Sequence, residues 1–212
     1  MAVFEIKDIS YSYEKSRKIL TAVNATFETG KMYAILGPSG SGKTTLLSLL
    51  GGLDTPQKGE ILFDGENILE RGLEYHRRNH VSLIFQNYNL IDYMTPVENV
   101  KLTAKQDAMP MLIKLGLTEE EAKRNVLKLS GGQQQRVAIA RTLVSDAPVI
   151  LADEPTGNLD EDTAAEITGI LKDCAYQMNK CVIVVTHSSD LAKQADVILR
   201  LKKGGLSYGT KC

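Results

Sequence analysis

The chain of 212 residues has no tryptophan, only 3 cysteines, 6 prolines and a net charge of −1. Each shortage excludes something. Cys174, Cys181 and Cys212 are too few and too irregularly spaced for a disulfide framework or a zinc site, and read as buried or incidental thiols. No apolar run reaches about 18 residues, so no segment reads as a membrane span. The start, Met1-Ala2-Val3-Phe4-Glu5, lacks the basic flank and apolar stretch of a signal peptide, which points to the cytosol. A near-neutral chain has no bulk attraction to nucleic acid or to an acidic membrane surface. With no repeat, low-complexity tract or linker, the 212 residues are enough for one good core or two small ones.

What the chain does have is Gly37-Pro38-Ser39-Gly40-Ser41-Gly42-Lys43-Thr44-Thr45, which fits the phosphate-binding pattern G-x-x-x-x-G-K-[ST] without a gap. Met32–Leu36 before it reads as a short buried strand, and Leu46–Leu50 after it as the apolar face of a helix starting near Lys43. In that context the glycines let successive N–H groups turn onto a polyphosphate, and the helix start adds its positive dipole end. Lys43 is then the counter-charge to β and γ phosphates, and the Thr44 hydroxyl a Mg²⁺ ligand.

The pattern elsewhere supplies the frame of an α/β protein. Val3–Ile9, Val23–Phe27 and Gly59–Phe63 with its Asp64-Gly65 turn suggest a small antiparallel sheet beside a core sheet. Tyr11 and Tyr13 fall between the first two of these strands, either as packing residues or as a surface on which a nucleobase stacks. Val81–Phe85 is another strand, ending at Gln86. From Pro96 to Lys128 the period becomes helical, broken at Gly116, with Thr118 and Glu121 forming a capping box. The basic stretch His76-Arg77-Arg78-Asn79-His80 reads as surface, both histidines included.

Leu129-Ser130-Gly131-Gly132-Gln133 opens a helix running to about Val144. Ser130 and Gln133 make a capping box that needs no ligand, but two glycines in a first helical turn cost up to about 1 kcal/mol each against alanine. A bare helix start is a second anion site, although the first is already complete. Val149–Ala152 is a fully apolar strand ending in Asp153 and Glu154, which should lie at the carboxyl edge of the sheet beside the phosphate loop. Asp153 suits a Mg²⁺ site and Glu154 the activation of a water. A loop through Asp160 leads into a helix ending near Gln177; Cys181–Val185 is a buried strand closing on Thr186-His187, and His187 can reach a γ phosphate at the same edge. Val197–Leu201 with Gly204-Gly205 reads as an edge strand, with no regulatory domain after it.

Taken together these residues strongly resemble the ATPase subunit of ATP-binding cassette (ABC) transporters, over nearly the whole chain. Residues 37–45 match Walker A, Gln86 the Q-loop, 129–133 the signature, 149–154 Walker B, Asp160 the D-loop and His187 the switch histidine. The resemblance implies a P-loop NTPase of ABC type: a mainly parallel core sheet flanked by helices, a small antiparallel β subdomain and a helical insert over about 87–145. It implies ATP and Mg²⁺ as ligands. Catalysis would fall to Glu154, His187, Gln86 and Lys43, metal binding to Thr44, Gln86 and Asp153, and adenine stacking to Tyr13. It also resolves the two anion sites: cassettes pair head to tail, so Ser130, Gly131, Gly132, Gln133 and Asp160 would meet the nucleotide held by a second copy.

The resemblance further implies an integral membrane permease as partner, no nucleic acid, and a place on the inner face of the cell membrane held through that permease. Leu50-Gly51-Gly52-Leu53-Asp54 and Asp153–Asp160 are similar to the branch serving macrolide and antimicrobial-peptide exporters, lipoprotein release and the cell-division complex. In that branch the permease chooses the substrate. The stretch from Gln86 to Leu129 departs from the pattern: it is shorter and lacks the proline before the signature, on the surface that receives the permease. The competing readings are a non-transport cassette acting on DNA or the ribosome, which would carry coiled-coil insertions or paired cassettes, and a scaffold that keeps ATP without hydrolysing it, which Glu154 opposes.

Overall fold

In the computed structural model, which describes residues 2–14, 17–104 and 107–209, two sheets meet across one helix. The antiparallel sheet joins β1 (Ala2–Glu14), β2 (Arg17–Glu28), β4 (Lys58–Phe63) and β5 (Glu66–Asn67) in the order β2-β1-β4-β5. The second holds β3 (Met32–Leu36), β6 (Val81–Ile84), β7 (Val149–Asp153), β8 (Cys181–Thr186), β9 (Val197–Lys202) and β10 (Gly205–Tyr208) in the order β10-β9-β3-β8-β7-β6. All its neighbours pair in parallel except the β9–β10 hairpin.

Strands β7 and β8 are buried at every residue, which is why they read as continuous apolar runs: a parallel sheet is covered on both faces. Alternation then sorts their side chains. Ile150, Ala152, Val182 and Val184 face a cluster with Leu112, Val137, Ile139 and Ile167. Those residues come from α4 (Met109–Lys114), α6 (Gly131–Leu143) and α7 (Glu161–Tyr176). Val149, Leu151, Ile183 and Val185 face α1 (Lys43–Leu50) and, beyond it, Phe4, Ile6 and Phe27 of the small sheet. Two short helices, α3 (Pro96–Lys101) and α5 (Glu119–Lys123), join α4 and α6 between β6 and β7. The capping boxes at Thr118 and at Ser130 both form, and Gly116 breaks the helical stretch at φ 85°. No helix among the described residues is long and apolar enough to cross a membrane.

The structure corrects several local expectations. Tyr11 and Tyr13 lie within β1, not between strands, because register shifts along β1–β2 let one long twisted ribbon continue past Asp8 and Ala22, both at positive φ. At this end of the sheet the edge strand is β10; β9 is inside the sheet, and Lys203-Gly204, at φ 51° and 78°, makes the two-residue turn between them. His76 is not a surface residue. The basic stretch is a helix, α2 (Leu73–Asn79), and His76 is fully buried, its Nε2 2.9 Å from the Leu50 carbonyl and its ring 5.6 Å from that of Phe4. His80, one turn on, is half-buried and stacks on Phe63 at 3.9 Å. Burial lowers the pKa of both, that of His76 to about 4. Cys174 and Cys181 are buried thiols as expected; Cys212 lies outside the described residues.

Candidate functional site

The parallel pairing of β3, β7 and β8 brings Leu36, Asp153 and Thr186 to one edge: Leu36 pairs with Thr186, and Asp153 with Val185. From that edge the chain 37–42 loops back to α1, whose N-cap Gly42 sits at φ 100°, a conformation closed to side chains with a β-carbon. Gly37 is required for a different reason, since a β-carbon there would lie 2.5 Å from the Leu201 carbonyl oxygen. Lys43, nearly buried, folds over the loop it follows: Nζ donates to the Gly37 carbonyl at 2.8 Å and the Pro38 carbonyl at 3.3 Å, and lies 3.9 Å from Glu154 Oε1.

Glu154 follows β7 in the left-handed region at φ 45°, unusual for a residue with a side chain. Its amide donates to the Val185 carbonyl at 2.9 Å, which fixes the turn. Its Oε2 accepts from the Thr186 hydroxyl at 2.9 Å and the His187 amide at 3.2 Å, while Oε1 lies 3.0 Å from His187 Nδ1. Asp153 is buried beside it and lines the same cleft as Thr44. Burial, and then the charge of Glu154, raise the Asp153 pKa against the opposing pull of Thr44 and Lys43. A buried carboxylate and a hydroxyl on one cleft are a pair of hard oxygen donors, suited to Mg²⁺ and not to a soft metal. Among the described residues no cluster of three or more His, Cys, Asp and Glu side chains could hold a metal by itself, so a cation here would share ligands with phosphate oxygens.

Tyr13, Ser39, Gly40, Gly42, Thr44, Thr45, Gln86 and His187 join Lys43, Asp153 and Glu154 around one open cleft of about 760 Å³. Tyr13 stands at one end, 67% exposed, its hydroxyl 3.0 Å from Thr45 Oγ1. Gln86 is exposed in the turn after β6. Gly37, Pro38 and Ser41 form the back of the loop; Pro38 and Ser41 border a shallower outer pocket with Lys18, Lys202 and Lys203. The cleft thus combines a cationic loop, hard oxygen donors and a fixed carboxylate, the set needed to hold a polyphosphate and direct a water at it.

The remaining predicted residues lie elsewhere. Ser130, Gly131, Gly132, Gln133 and Asp160 do not line the cleft. The Ser130 hydroxyl accepts from the Gln133 amide at 3.3 Å, and the Ser130 amide donates to Gln133 Oε1 at 2.9 Å. Asp160 caps α7, accepting from the Thr163 amide at 3.0 Å and hydroxyl at 2.8 Å, contacts that lower its pKa. Gly132 has an additional explanation within the chain: a β-carbon there would be 2.7 Å from Thr163 Cγ2.

Three contributors are missing from the reading of the sequence. Thr186 fixes Glu154, and Ile19 lines the cleft; neither carries a local signal. Arg141 donates to the Tyr88 carbonyl at 2.9 Å and the Asn89 carbonyl at 2.6 Å, holding the segment after Gln86 in two successive left-handed residues. A lone charge inside the buried run Val137–Leu143 is the signal that could have found it.

Comparison with known proteins agrees with this geometry. The family model described as ABC transporter matches residues 20–157. The Bacillus subtilis (strain 168) protein named uncharacterized ABC transporter ATP-binding protein YclH is 45% identical over 98% of this chain and 96% of its own. The lipoprotein-releasing system ATP-binding protein LolD of Psychrobacter arcticus is 41% identical over 96% and 97%. Among solved structures, the dimeric post-hydrolysis state of the ATP-binding cassette MJ0796, bound to ADP and Pi, matches with a TM-score of 0.87 at 34% identity over 99% of both chains. The sheet order, the phosphate loop at the strand edge and these likenesses together establish that the chain belongs to the ABC transporter family, as an ATP-binding subunit that hydrolyses ATP.

Proposed function

We propose that the chain is a single nucleotide-binding domain, with its helical insert over about 87–145, that closes head to tail with a second copy around two ATP molecules to drive a separate membrane permease. The observation that carries this reading is a division of labour: one cleft gathers Lys43, Thr44, Asp153, Glu154, Gln86 and His187, while the glycine-flanked start of α6 lies outside it. A glycine-flanked helix start that lines no part of its own chain's cleft suits a phosphate brought by another copy.

In this mechanism the amides of 37–45 and the Lys43 ammonium grip the β and γ phosphates, which take over from the carbonyls of Gly37 and Pro38 that Lys43 now contacts. Thr44 and Asp153, with Gln86, would hold Mg²⁺, which would supply neutralising charge to the phosphate oxygens. Glu154, steadied by Thr186 and His187, orients and deprotonates the attacking water, and His187 donates to the γ phosphate. Tyr13 stacks on adenine. Ser130, Gly131, Gly132 and Gln133, with Asp160 nearby, close over the partner's nucleotide. Loss of the γ phosphate then removes the charge that bridges the two copies.

The permease docks in a groove of about 620 Å³ between α2, β6 and the end of α6, where Arg77, Arg78 and Arg141 flank the exposed Leu102. That contact holds the chain on the inner face of the membrane. The permease is of the kind that releases lipoproteins, exports peptides or drugs, or transmits motion.

The test is assembly. Glu154→Gln, which keeps the shape and removes the charge, should shift from monomer to dimer on light scattering when ATP and Mg²⁺ are added, and adding Ser130→Arg should abolish that dimer. A monomer at saturating ATP, or a dimer indifferent to Ser130→Arg, would refute the head-to-tail clamp.

A further inference from the structure

The motif Leu50-Gly51-Gly52-Leu53-Asp54 is not used by the mechanism above, although the chain there makes an unusual return. After α1 the backbone reverses through Gly52 at φ 62°, with the Leu53 amide bonded back to the Ser48 carbonyl at 2.9 Å. The reversal brings the chain beside β1. There Asp54 accepts from its neighbour Thr55 at 2.7 Å through Oδ1 and from the Tyr11 hydroxyl through Oδ2. Gln57 continues the seam, its amide donating to the Ser10 carbonyl at 3.1 Å and its side chain to the Ser12 carbonyl at 2.6 Å.

Tyr11 is buried, and its ring meets that of Tyr13 edge to face, with centroids 5.1 Å apart and planes at 86°. The Asp54 bond, ahead of burial, pushes the Tyr11 pKa up to about 12, so its hydroxyl stays a donor throughout the physiological range. Tyr13 is therefore an exposed ring fixed at two points, by Tyr11 and by Thr45 in the first turn of the phosphate-loop helix. Both supports trace back to α1, one at its start and one at its exit.

We propose that Asp54 and Tyr11 are positioning residues for nucleobase recognition: they hold the Tyr13 ring in advance at a set distance from the phosphate loop. This rests on the reading of Tyr13 as the adenine-stacking residue. An exposed tyrosine without this pedestal samples several rotamers and must be immobilised when the base binds, which weakens binding by about threefold to tenfold. The effect is confined to ligands that have a base.

The experiment titrates the full chain, with Mg²⁺, against an imido analogue of ATP and against tripolyphosphate, which has no base. Tyr11→Phe and Asp54→Ala should each raise the Kd of the analogue by about threefold to tenfold and leave that of tripolyphosphate within about twofold. Asp54→Asn, whose amide oxygen still accepts from Tyr11, should stay near the parent. Tyr13→Ala supplies the reference for losing the platform outright. If Tyr13→Ala weakens the analogue but Tyr11→Phe does not, the pedestal is wrong while the platform stands. If Tyr13→Ala changes nothing, the platform fails and the pedestal falls with it. Equal losses for both ligands would assign Tyr11 and Asp54 to the shape of the phosphate loop and overturn the proposal. Tyr11→Phe keeps the ring and decides the matter alone should Asp54→Ala not fold.

Discussion

Gly132 has two possible reasons to be glycine, and substitution can separate them. A β-carbon there would sit 2.7 Å from Thr163 Cγ2, well inside the 3.5–4.0 Å optimum for two carbons. Thr163 cannot simply rotate away, because its hydroxyl bonds Asp160 Oδ2 at 2.8 Å. Overpacking of this kind costs about 1–3 kcal/mol, against up to about 1 kcal/mol recovered from the better helix propensity of alanine. Gly132→Ala should therefore destabilise the fold by about 1–2 kcal/mol, roughly 2–8 °C in Tm for a chain of this size. Thr163→Ser removes the offending methyl and keeps the cap. In urea unfolding of the parent, both single variants and the double variant, the two changes should couple favourably by about 1 kcal/mol or more, and additivity within about 0.5 kcal/mol would refute the packing argument. ATP turnover then addresses the other reason. If the amide at 132 must approach a phosphate held by another copy, the double variant regains stability while its turnover stays depressed by about tenfold or more. Full recovery of turnover would leave Thr163 as the whole explanation.

Glu154→Gln should retain ATP affinity and lower turnover by at least about 10²-fold, as expected for loss of a general base; parental turnover would remove Glu154 from that role. Lys43→Ala should lose a charge-assisted phosphate contact and weaken ATP binding by about tenfold or more in a direct titration, with unchanged affinity counting against the assignment. His76 provides a pH test. Its folded pKa of about 4 lies below the ordinary 6.5, so between these values the unfolded chain binds the extra proton and stability falls as the pH drops. The slope approaches about 1.4 kcal/mol per pH unit, and should be visible as a lower urea midpoint at pH 5 than at pH 7; an equal slope in His76→Gln would refute its origin in this residue.

The parts of the site that were legible in the sequence are those written in contiguous residues. The loop 37–45 is bounded by its own strand and helix, Asp153 and Glu154 end a strand whose every residue is buried, and both capping boxes span three positions. What escaped depends on residues distant in the chain. Tyr11 and Asp54 are 43 positions apart, Thr186 reaches Glu154 across 32, and Arg141 reaches Asn89 across 52. His76 shows the same limit from the other direction. The residues that follow it in sequence are arginines and asparagine, and only the helix that turns it towards Leu50 and Phe4 makes it a core residue.

Glu154 joins the fold to the proposed cycle. A non-glycine residue at φ 45° costs about 1–2 kcal/mol, which persists because the amide is tied to Val185 and the carboxylate to Thr186 and His187 on the neighbouring strand end. The conformation aims Oε1 at Lys43 and towards the cleft, so the carboxylate is set before any nucleotide arrives. In a single chain that cleft stays open and wet, where a fixed charge is weakly felt: a unit pair at 4 Å is worth about 1 kcal/mol in bulk water and about 4 kcal/mol at an effective dielectric near 20. Covering the cleft with the α6 start of a second copy would expel water and strengthen every charge already in place without moving it. In the proposed cycle dimer closure would thereby switch on a prearranged site, and a chain that cannot close would keep its geometry and hydrolyse slowly.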